Sequence, residues 1–244
     1  DVPENVRFNY GGNGLTDDIT GRPLNSLYGL VADGIFKTQE EVDNSPQQQG
    51  KGIGRIRYKD LDGDGVINEI YDRTWIAVTD PDLMAGLNFE ARYKNFDLTF
   101  FVQGVFGNDV RNTWKELSDF WNIGVQNDRN HPSRILEAWT PNNPNADIPA
   151  LSRRDANGEK RLSTYFIENG SYIKLRTLDI GYTLPQKLMD NWHLTRLRFY
   201  VSGQNLFMLK KTWGDDKFTG GDPENPGFGY PMPRTLFVGV NVTF

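Results

Sequence analysis

The sequence predicts an all-β fold of long antiparallel strands, of the kind that builds a transmembrane β-barrel. Three observations favour this fold: five runs of alternating apolar and polar side chains, a regular series of short and long connections, and the terminal aromatic residue Phe244. Alternation with a period of two is typical of a strand with two different faces. The runs span residues 83–94, 96–106, 171–184, 195–207 and 234–244.

The first two runs predict a hairpin. Leu87 and Phe89 fall on the apolar face of the first run, and Glu90 and Arg92 fall on its polar face. After a tight turn, the polar face of the second run carries Asp97. Both strands have about ten residues. They are longer than the ~5–6 residues common in soluble sheets and match the ~9–11 residues of a transmembrane strand.

The third run changes its phase near Thr177. Ile173 and Leu175 share one phase, whereas Leu178 and Ile180 share the other. An extra residue in one strand shifts the alternation in this way, so the pattern predicts a β-bulge inside one strand.

The fourth and fifth runs close the chain. The polar face of the fourth run carries Arg196, Arg198, Tyr200 and Gln204. The fifth run stops at Phe244 without a polar tail. Soluble domains usually end in a few frayed residues, so we interpret this terminal aromatic side chain as a barrel-assembly signal.

The connections separate the alternative folds better than the strands do. They are very short, then about 64, about 10 and about 26 residues long. A barrel with short turns on one side and long loops on the other produces this series. The alternation by itself fits a soluble β-sandwich equally well, because there the apolar face lies inside. Within the longest connection, the pattern over 109–121 predicts a short helix with Asn108 as its N-cap.

Composition excludes several classes of function. The net charge is -5 and no basic cluster is long, so the nucleic-acid footprint is lacking. The chain has no cysteine and only two histidines, His131 and His193, which excludes thiolate and histidine-rich metal sites. There is no nucleophile motif of the G-x-S-x-G type. No carboxylate pair stands out for glycan cleavage, so we predict that the chain is not an enzyme.

Several stretches together resemble the C-terminal part of SusC/RagA-type TonB-linked outer-membrane transporters. The resemblance covers most of the chain in the family's order. It rests on LYGLVADGIF at 27–36, GRIRYKDLDGDGVIN at 54–68, GSYIKLR at 170–176, SGQNLF at 202–207, the stretches 81–87, 93–98 and 181–185, and the final strand at 233–244.

The resemblance implies the last strands of a barrel of the 22-strand type, with the plug and the TonB-contacting segment outside this chain. It implies energy-coupled import of oligosaccharides or peptides through the outer membrane of a Gram-negative bacterium. The expected partners are a SusD-like surface lipoprotein, TonB, the solute and membrane lipid. Residues 1–81, 107–170 and 209–233 would be mainly extracellular, and the barrel strands would lie within 82–244. The runner-up function is a secreted, soluble β-sandwich that binds carbohydrate.

An Asp/Gly-rich stretch offers a candidate metal loop. Carboxylates recur at every second position and glycine stands at the sixth, a spacing that wraps oxygen ligands around Ca²⁺. The twelfth position is Tyr71 instead of glutamate, and Asp72 or Glu69 would have to replace it. A turn held by side-chain-to-backbone hydrogen bonds gives the same composition. The predicted ligands of a structural Ca²⁺ are Asp60, Asp62, Asp64, the Val66 carbonyl and Asn68.

Two further sets of residues are candidates for contact with solute or partner. The first comprises tryptophans in predicted extracellular loops, which would stack on sugars, contact the lid lipoprotein or pack the loops: Trp114, Trp121, Trp139 and Trp213. The second comprises side chains that a barrel would turn toward its lumen, where they touch solute or pair with one another: Glu90, Arg92, Asp97, Arg196, Arg198, Tyr200 and Gln204.

Overall fold

The structure is a computed structural model that describes residues 22–120, 131–190, 194–210, 218–227 and 229–244. The chain divides into two compact units. The first combines the part that ends at Asp80 with Asp109–Glu168 and a short stretch at Pro226. The second combines Pro81–Asn108 with Asn169–Asn225 and Gly229–Phe244. The long connection after the second run therefore folds together with the N-terminal part of the chain.

The first unit contains short elements. Among the described residues its strands pair two by two: β1 with β4 and β2 with β3, both antiparallel, and β7 with β8. Two 3₁₀ helices span Ser133–Glu137 and Thr164–Phe166. The other elements are β1 (Ser26–Leu30), β2 (Ala32–Ile35), α1 (Gln39–Asn44), β3 (Ile56–Tyr58), β4 (Arg73–Val78), β7 (Asp109–Arg111), α2 (Lys115–Ser118) and β8 (Ile167–Asn169).

The core of this unit lies between β1, β3 and the segment around Phe166. Leu30, Ile56 and Phe166 are fully buried there. A carboxylate and an amide take the place of a further strand beside β3: Glu159 accepts from the backbone N–H of Ile56 at 3.0 Å, and Gln48 accepts from that of Tyr58 at 3.0 Å. Because buried backbone groups need partners, these side chains complete the strand's hydrogen bonding.

The helix predicted over 109–121 is wrong for most of its length. Asp109–Arg111 is β7, and only Lys115–Ser118 is helical among the described residues. The backbone N–H of Asn112 donates to the Phe166 carbonyl at 2.8 Å, which continues the pairing of β7 with β8. A partner more than 50 residues away along the chain thus overrides the local helical pattern. Within the described ranges, no helix is long and apolar enough to cross a membrane.

The second unit is built on one five-stranded antiparallel sheet in the order β11-β10-β9-β6-β5. Each of the five alternating runs forms one of its strands. Lys94 adopts a left-handed conformation (φ 52°) in the two-residue turn between β5 and β6. The elements are β5 (Leu83–Tyr93), β6 (Phe96–Phe106), β9 (Tyr172–Thr183), α3 (Gln186–Met189), β10 (Arg196–Leu209) and β11 (Thr235–Thr243).

The bulge expected near Thr177 is present. Phe101 of β6 pairs with Thr177, but its neighbour Val102 pairs with Leu175, so Arg176 is the extra residue of β9. The pairing of β9 with β10 shifts at the same level of the sheet. Because a bulge reverses the alternation, the apolar residues on either side of Arg176 fall on the same face.

The register gives the sheet two continuous faces of opposite character. On one face most apolar residues oppose another apolar residue on the neighbouring strand; for example, Phe96 pairs with Tyr182 and Tyr182 pairs with Phe199. This apolar face is open to its surroundings, since Leu236 is 72% and Val238 is 83% exposed. The other face carries the charged and amide side chains.

Candidate functional site

The polar face of the sheet is organised around Arg198. Its Nε donates to Oδ1 of Asp97 at 3.0 Å and its Nη2 to Oδ2 of the same carboxylate at 2.5 Å. The guanidinium also donates to Asp179. Since Arg198 lies on β10, Asp179 on β9 and Asp97 on β6, one cation ties three strands together. Arginine suits this role because its planar fork binds two acceptors at once.

Gly181 makes this arrangement sterically feasible. It lies on β9 directly between Asp97 and Tyr200 in the register. A Cβ atom at Gly181 would stand 2.2 Å from Nε of Arg198. The guanidinium therefore lies across the bare backbone of β9. Tyr200 uses a second glycine in the same way, because a Cβ at Gly239 would stand 2.4 Å from its ring.

An open pocket of about 490 Å³ surrounds this cluster on the polar face. It contains acids and bases side by side, and Glu90 and Arg92 form an exposed ion pair of 2.7 Å at its edge. Such a pocket suits a polar or zwitterionic surface better than an apolar one. Its charged lining residues include Glu90, Arg92, Asp97, Asp179, Arg196 and Arg198.

The structure thus brings the seven residues expected to line a lumen onto one face. Asp97, Arg92 and Glu90 come from the β5–β6 hairpin, and the others come from β10. Tyr200 is stacked by the Arg198 guanidinium, whose Cζ is 5.2 Å from the ring centroid. Gln204 is exposed and lies apart, opposite Thr177 on β9. That this face lines a lumen stays a prediction.

The Asp/Gly-rich loop is held by its own carboxylates. Asp60 accepts from the backbone N–H groups of Gly63 at 2.7 Å and Gly65 at 2.9 Å. Asp64 accepts from that of Val66 at 2.7 Å. These are the side-chain-to-backbone bonds of an Asx-type turn, so the loop is closed by hydrogen bonds.

The carboxylates that converge in this loop differ from the predicted ligand set. Carboxylate oxygens of Asp60, Asp62 and Asp72 lie within 4.8 Å of one another, whereas Asp64 is outside this group. The fully buried Asp72 also accepts from the N–H groups of Leu61 at 2.8 Å and Asn68 at 2.7 Å. A Ca²⁺ ion at this loop stays a prediction, with Asp72 now the better candidate than Glu69, which pairs with arginine.

The pKa values of the first two aspartates of the loop, Asp60 and Asp62, are shifted in opposite directions. Hydrogen bonds from Gly65 and Gly63 lower the pKa of Asp60. The N–H of Asp64 favours the charged form of Asp62, but desolvation and the neighbouring carboxylates outweigh it and raise the pKa of Asp62. Mutual repulsion of crowded carboxylates is the expected cause.

The candidate tryptophans have different surroundings. Trp139 packs against Gly54, where a Cβ would stand 2.8 Å from the indole ring, and its indole N–H has no acceptor within the described part of the chain. Trp114 is 36% exposed at the start of α2. Trp139 thus fits the packing interpretation, and Trp114 is the more accessible ring. Trp121 and Trp213 lie outside the described residues.

Known proteins similar to this chain are named TonB-dependent receptors. TonB-dependent receptor P26 of Formosa agariphila is 32% identical over 248 residues, which cover 96% of this chain and 24% of that protein. TonB-dependent receptor SusC of Bacteroides thetaiotaomicron is 26% identical over 219 residues, with coverages of 88% and 20%. The chain is a homologue of the SusC-type TonB-dependent receptors. It spans about a quarter of the length of P26. No protein-family model matches it.

Solved structures confirm the predicted fold class. The RagAB peptide importer in its 'closed-closed' state aligns with a TM-score of 0.68 at 22% identity, over 98% of this chain and 25% of that one. The 'open-open' state of the same importer aligns with a TM-score of 0.64 at 23% identity, over 92% of this chain and 23% of that one. At this identity the likeness concerns the fold. The five-stranded sheet thus has the fold of a segment of such a barrel.

Phe244 follows the last residue of β11 and is 89% exposed. Its role as a barrel-assembly signal stays a prediction.

Sequence reasoning missed two parts of the polar face. Asp179 and Gly181 lie in the third run, where the bulge obscures which positions share the face of Asp97. Glu224 lies in a connection without any periodic pattern, yet it pairs with Lys174 of β9. The phase change near Thr177 was the one sequence signal for the placement of Asp179 and Gly181. The sequence contains no signal for the placement of Glu224.

Proposed function

We propose that this chain is the C-terminal barrel segment of an outer-membrane, TonB-energised importer of oligosaccharides or peptides that works with a SusD-like surface lipoprotein. In this account the segment supplies part of the lumen wall and of the extracellular surface. Transport is driven by TonB acting on parts of the protein outside this chain. The segment itself carries out no covalent chemistry.

The observation that carries the proposal is the pair of opposite faces on the five-stranded sheet. An apolar face with large exposed side chains suits contact with lipid, because burying apolar surface in the bilayer is favourable. The ion-paired face around Arg198 suits a hydrated lumen. Strands of nine to fourteen residues are long enough to cross the hydrocarbon core.

The alternative of a secreted β-sandwich is less favoured. A sandwich buries its apolar face against a second sheet. In the described part of the chain, Val238 and Leu236 are exposed by 83% and 72% on that face. Such a surface would make a soluble protein aggregate.

The choice of partner and solute is supported by the relatives. The similar SusC is named a TonB-dependent receptor, and the similar solved structures are named a peptide importer, RagAB. We extend to this chain the import of peptides or oligosaccharides and the pairing with a lipoprotein of the SusD or RagB kind. Solute contact would involve the pocket around Arg198 or the exposed Trp114.

Fractionation of the native protein tests the proposal. An antibody against this segment should detect a band several times larger than 27.8 kDa in detergent-extracted outer membranes. A lipoprotein should co-purify with this larger protein. Deletion of the gene for the larger protein should abolish the uptake of peptides or oligosaccharides by cells. A band near 28 kDa in the soluble fraction would contradict the proposal.

A further inference from the structure

A short segment before β11 is fastened to the polar face of β9 through one carboxylate, that of Glu224. Tyr172 donates its hydroxyl to Oε1 of Glu224 at 2.6 Å, and Lys174 donates from Nζ to Oε2 at 2.5 Å. Arg176 donates from Nη1 to Oε2 at 3.1 Å, and its Nη2 also binds Oε1. Both oxygens of the carboxylate are thus surrounded by donors of a single strand.

The alternation of β9 places these donors on one face of the strand. Tyr172 and Lys174 stand two residues apart and share a face, and Arg176 is the extra residue of the bulge. The Oε1 atom of Gln103 on β6 accepts from Nε of Arg176 at 2.7 Å and so orients the guanidinium toward Glu224. The three donors are therefore held by the sheet and do not depend on the segment that they bind.

Burial makes the anion necessary. The Lys174 side chain is only 2% exposed, and its second carboxylate neighbour, Asp222, is 3.8 Å away. Removing one partner of a buried ion pair leaves an uncompensated charge, which is strongly unfavourable. While the segment covers Lys174, this ammonium group therefore needs an anion beside it.

Other contacts also hold the segment 218–225. Lys210 donates to the Gly220 carbonyl at 2.7 Å and its Nζ lies 5.7 Å from the Phe218 ring centroid. Asp222 lies 3.8 Å from Nζ of Lys174 and accepts from the N–H groups of Glu224 at 3.0 Å and Met232 at 3.4 Å. Glu224 is the residue of the segment that contacts all three donors of β9.

Space for a ligand adjoins this site. A cavity of about 510 Å³ lies between β9, β10 and the segment. It is large enough for a terminal group of a solute to approach Lys174 from the same side as Asp222. Its lining includes Lys174, Asn205, Met208, Lys210, Asp222 and Met232.

We propose that Tyr172, Lys174 and Arg176 form a carboxylate-binding site in which Glu224 is the internal ligand, and that a carboxylate of the imported solute takes its place when the segment 218–225 lifts. The part concerning solute rests on the proposed function, and it narrows the solute to one that carries a carboxylate, such as a peptide or an acidic oligosaccharide. Charge-assisted bonds from arginine and lysine are the usual means of carboxylate recognition.

The test uses the full-length protein in detergent and acetate as the probe. Glu224→Ala vacates the site, so acetate should raise the unfolding temperature of this variant in a saturable way, relative to chloride at equal ionic strength. In wild type the Glu224 carboxylate fills the site, so acetate should have no comparable effect. No response of Glu224→Ala, or an equal response of both proteins, would overturn the proposal.

A second measurement needs no variant. High concentrations of acetate should compete with Glu224 in the wild-type protein and speed backbone hydrogen exchange in 218–225 by about twofold or more over chloride, since a tethered ligand acts at a finite effective concentration. Exchange in β11 serves as the control and should not change. Equal exchange in both salts would count against the site. Neither measurement involves transport, so failure here leaves the importer proposal to its own test.

Discussion

Arg198 binds Asp97 across an intervening strand. The Nε–Oδ1 distance is 3.0 Å, although β9 separates β10 from β6. The contact is made over Gly181, and Asp179 of β9 adds a second acceptor. Backbone pairing joins only neighbouring strands. The Arg198 side chain joins all three strands, β10, β9 and β6, on their polar face.

Arg198→Ala should lower the free energy of unfolding by about 2–4 kcal/mol, because two carboxylates lose their shared cation on a partly shielded surface. The control is Arg92→Ala, whose side chain is 78% exposed and forms an ion pair with Glu90. The free energy of unfolding of Arg92→Ala should fall by less than about 1 kcal/mol, because an exposed ion pair contributes little. Chemical unfolding in detergent gives both values, and equal losses would contradict the role of Arg198.

Gly181→Ala should displace the Arg198 guanidinium, since the new methyl group would stand 2.2 Å from Nε. We expect a loss of about 1–3 kcal/mol, which shrinks when Arg198 is already alanine, because both changes break the same contact. Gly52→Ala is the control, as its Cβ would have no neighbour closer than 3.9 Å. Strictly additive losses in the double variant would show that Gly181 acts independently of Arg198.

We expect the protein to lose stability in acid because of the contacts of Glu224. Burial alone would raise its pKa, but hydrogen bonds from Lys174 and Tyr172 and the charges of Lys174 and Arg176 outweigh burial and lower it. Asp222 is the other titratable group that faces this cluster. A carboxyl with a lowered pKa stabilises the fold above its ordinary value of about 4.3, and this contribution is lost as pH falls through the lowered pKa.

The measurement is the difference in unfolding temperature between wild type and Glu224→Gln across pH. The difference should be constant from about pH 8 to pH 5.5 and shrink below about pH 4. Glu90→Gln, at an exposed position of the same face, is the control for the change of glutamate to glutamine. A difference that grows on acidification would contradict the assignment.

The Asp/Gly-rich loop should keep its shape without a metal, because backbone N–H groups already occupy the oxygens of Asp60 and Asp72. A chelator should therefore leave the unfolding temperature unchanged, whereas added Ca²⁺ should raise it where the predicted ion binds. Asp60→Ala should cost about 1–2 kcal/mol in either condition, through the two lost hydrogen bonds. A rise with Ca²⁺ that disappears in Asp60→Ala would establish the ion.

The sheet was predictable because alternation is a local property of the sequence. The bulge at Arg176 was visible as the phase change near Thr177. The helix predicted over 109–121 is wrong for the opposite reason: the pairing of β7 with β8 depends on a segment that is distant in the sequence. The placement of Glu224 against Lys174 likewise depends on how a connection folds back, which no pattern within the connection encodes.

Two adjacent residues of β11 provide the most direct test of the central claim that this sheet is a barrel wall. The chain has no cysteine, so Val240→Cys and Asn241→Cys each add one spin-label site to it. In membranes containing the full-length protein, the label at Val240 should be reached by oxygen and shielded from a water-soluble paramagnet, and the label at Asn241 should show the reverse. Equal access of the water-soluble reagent to both labels would contradict the account.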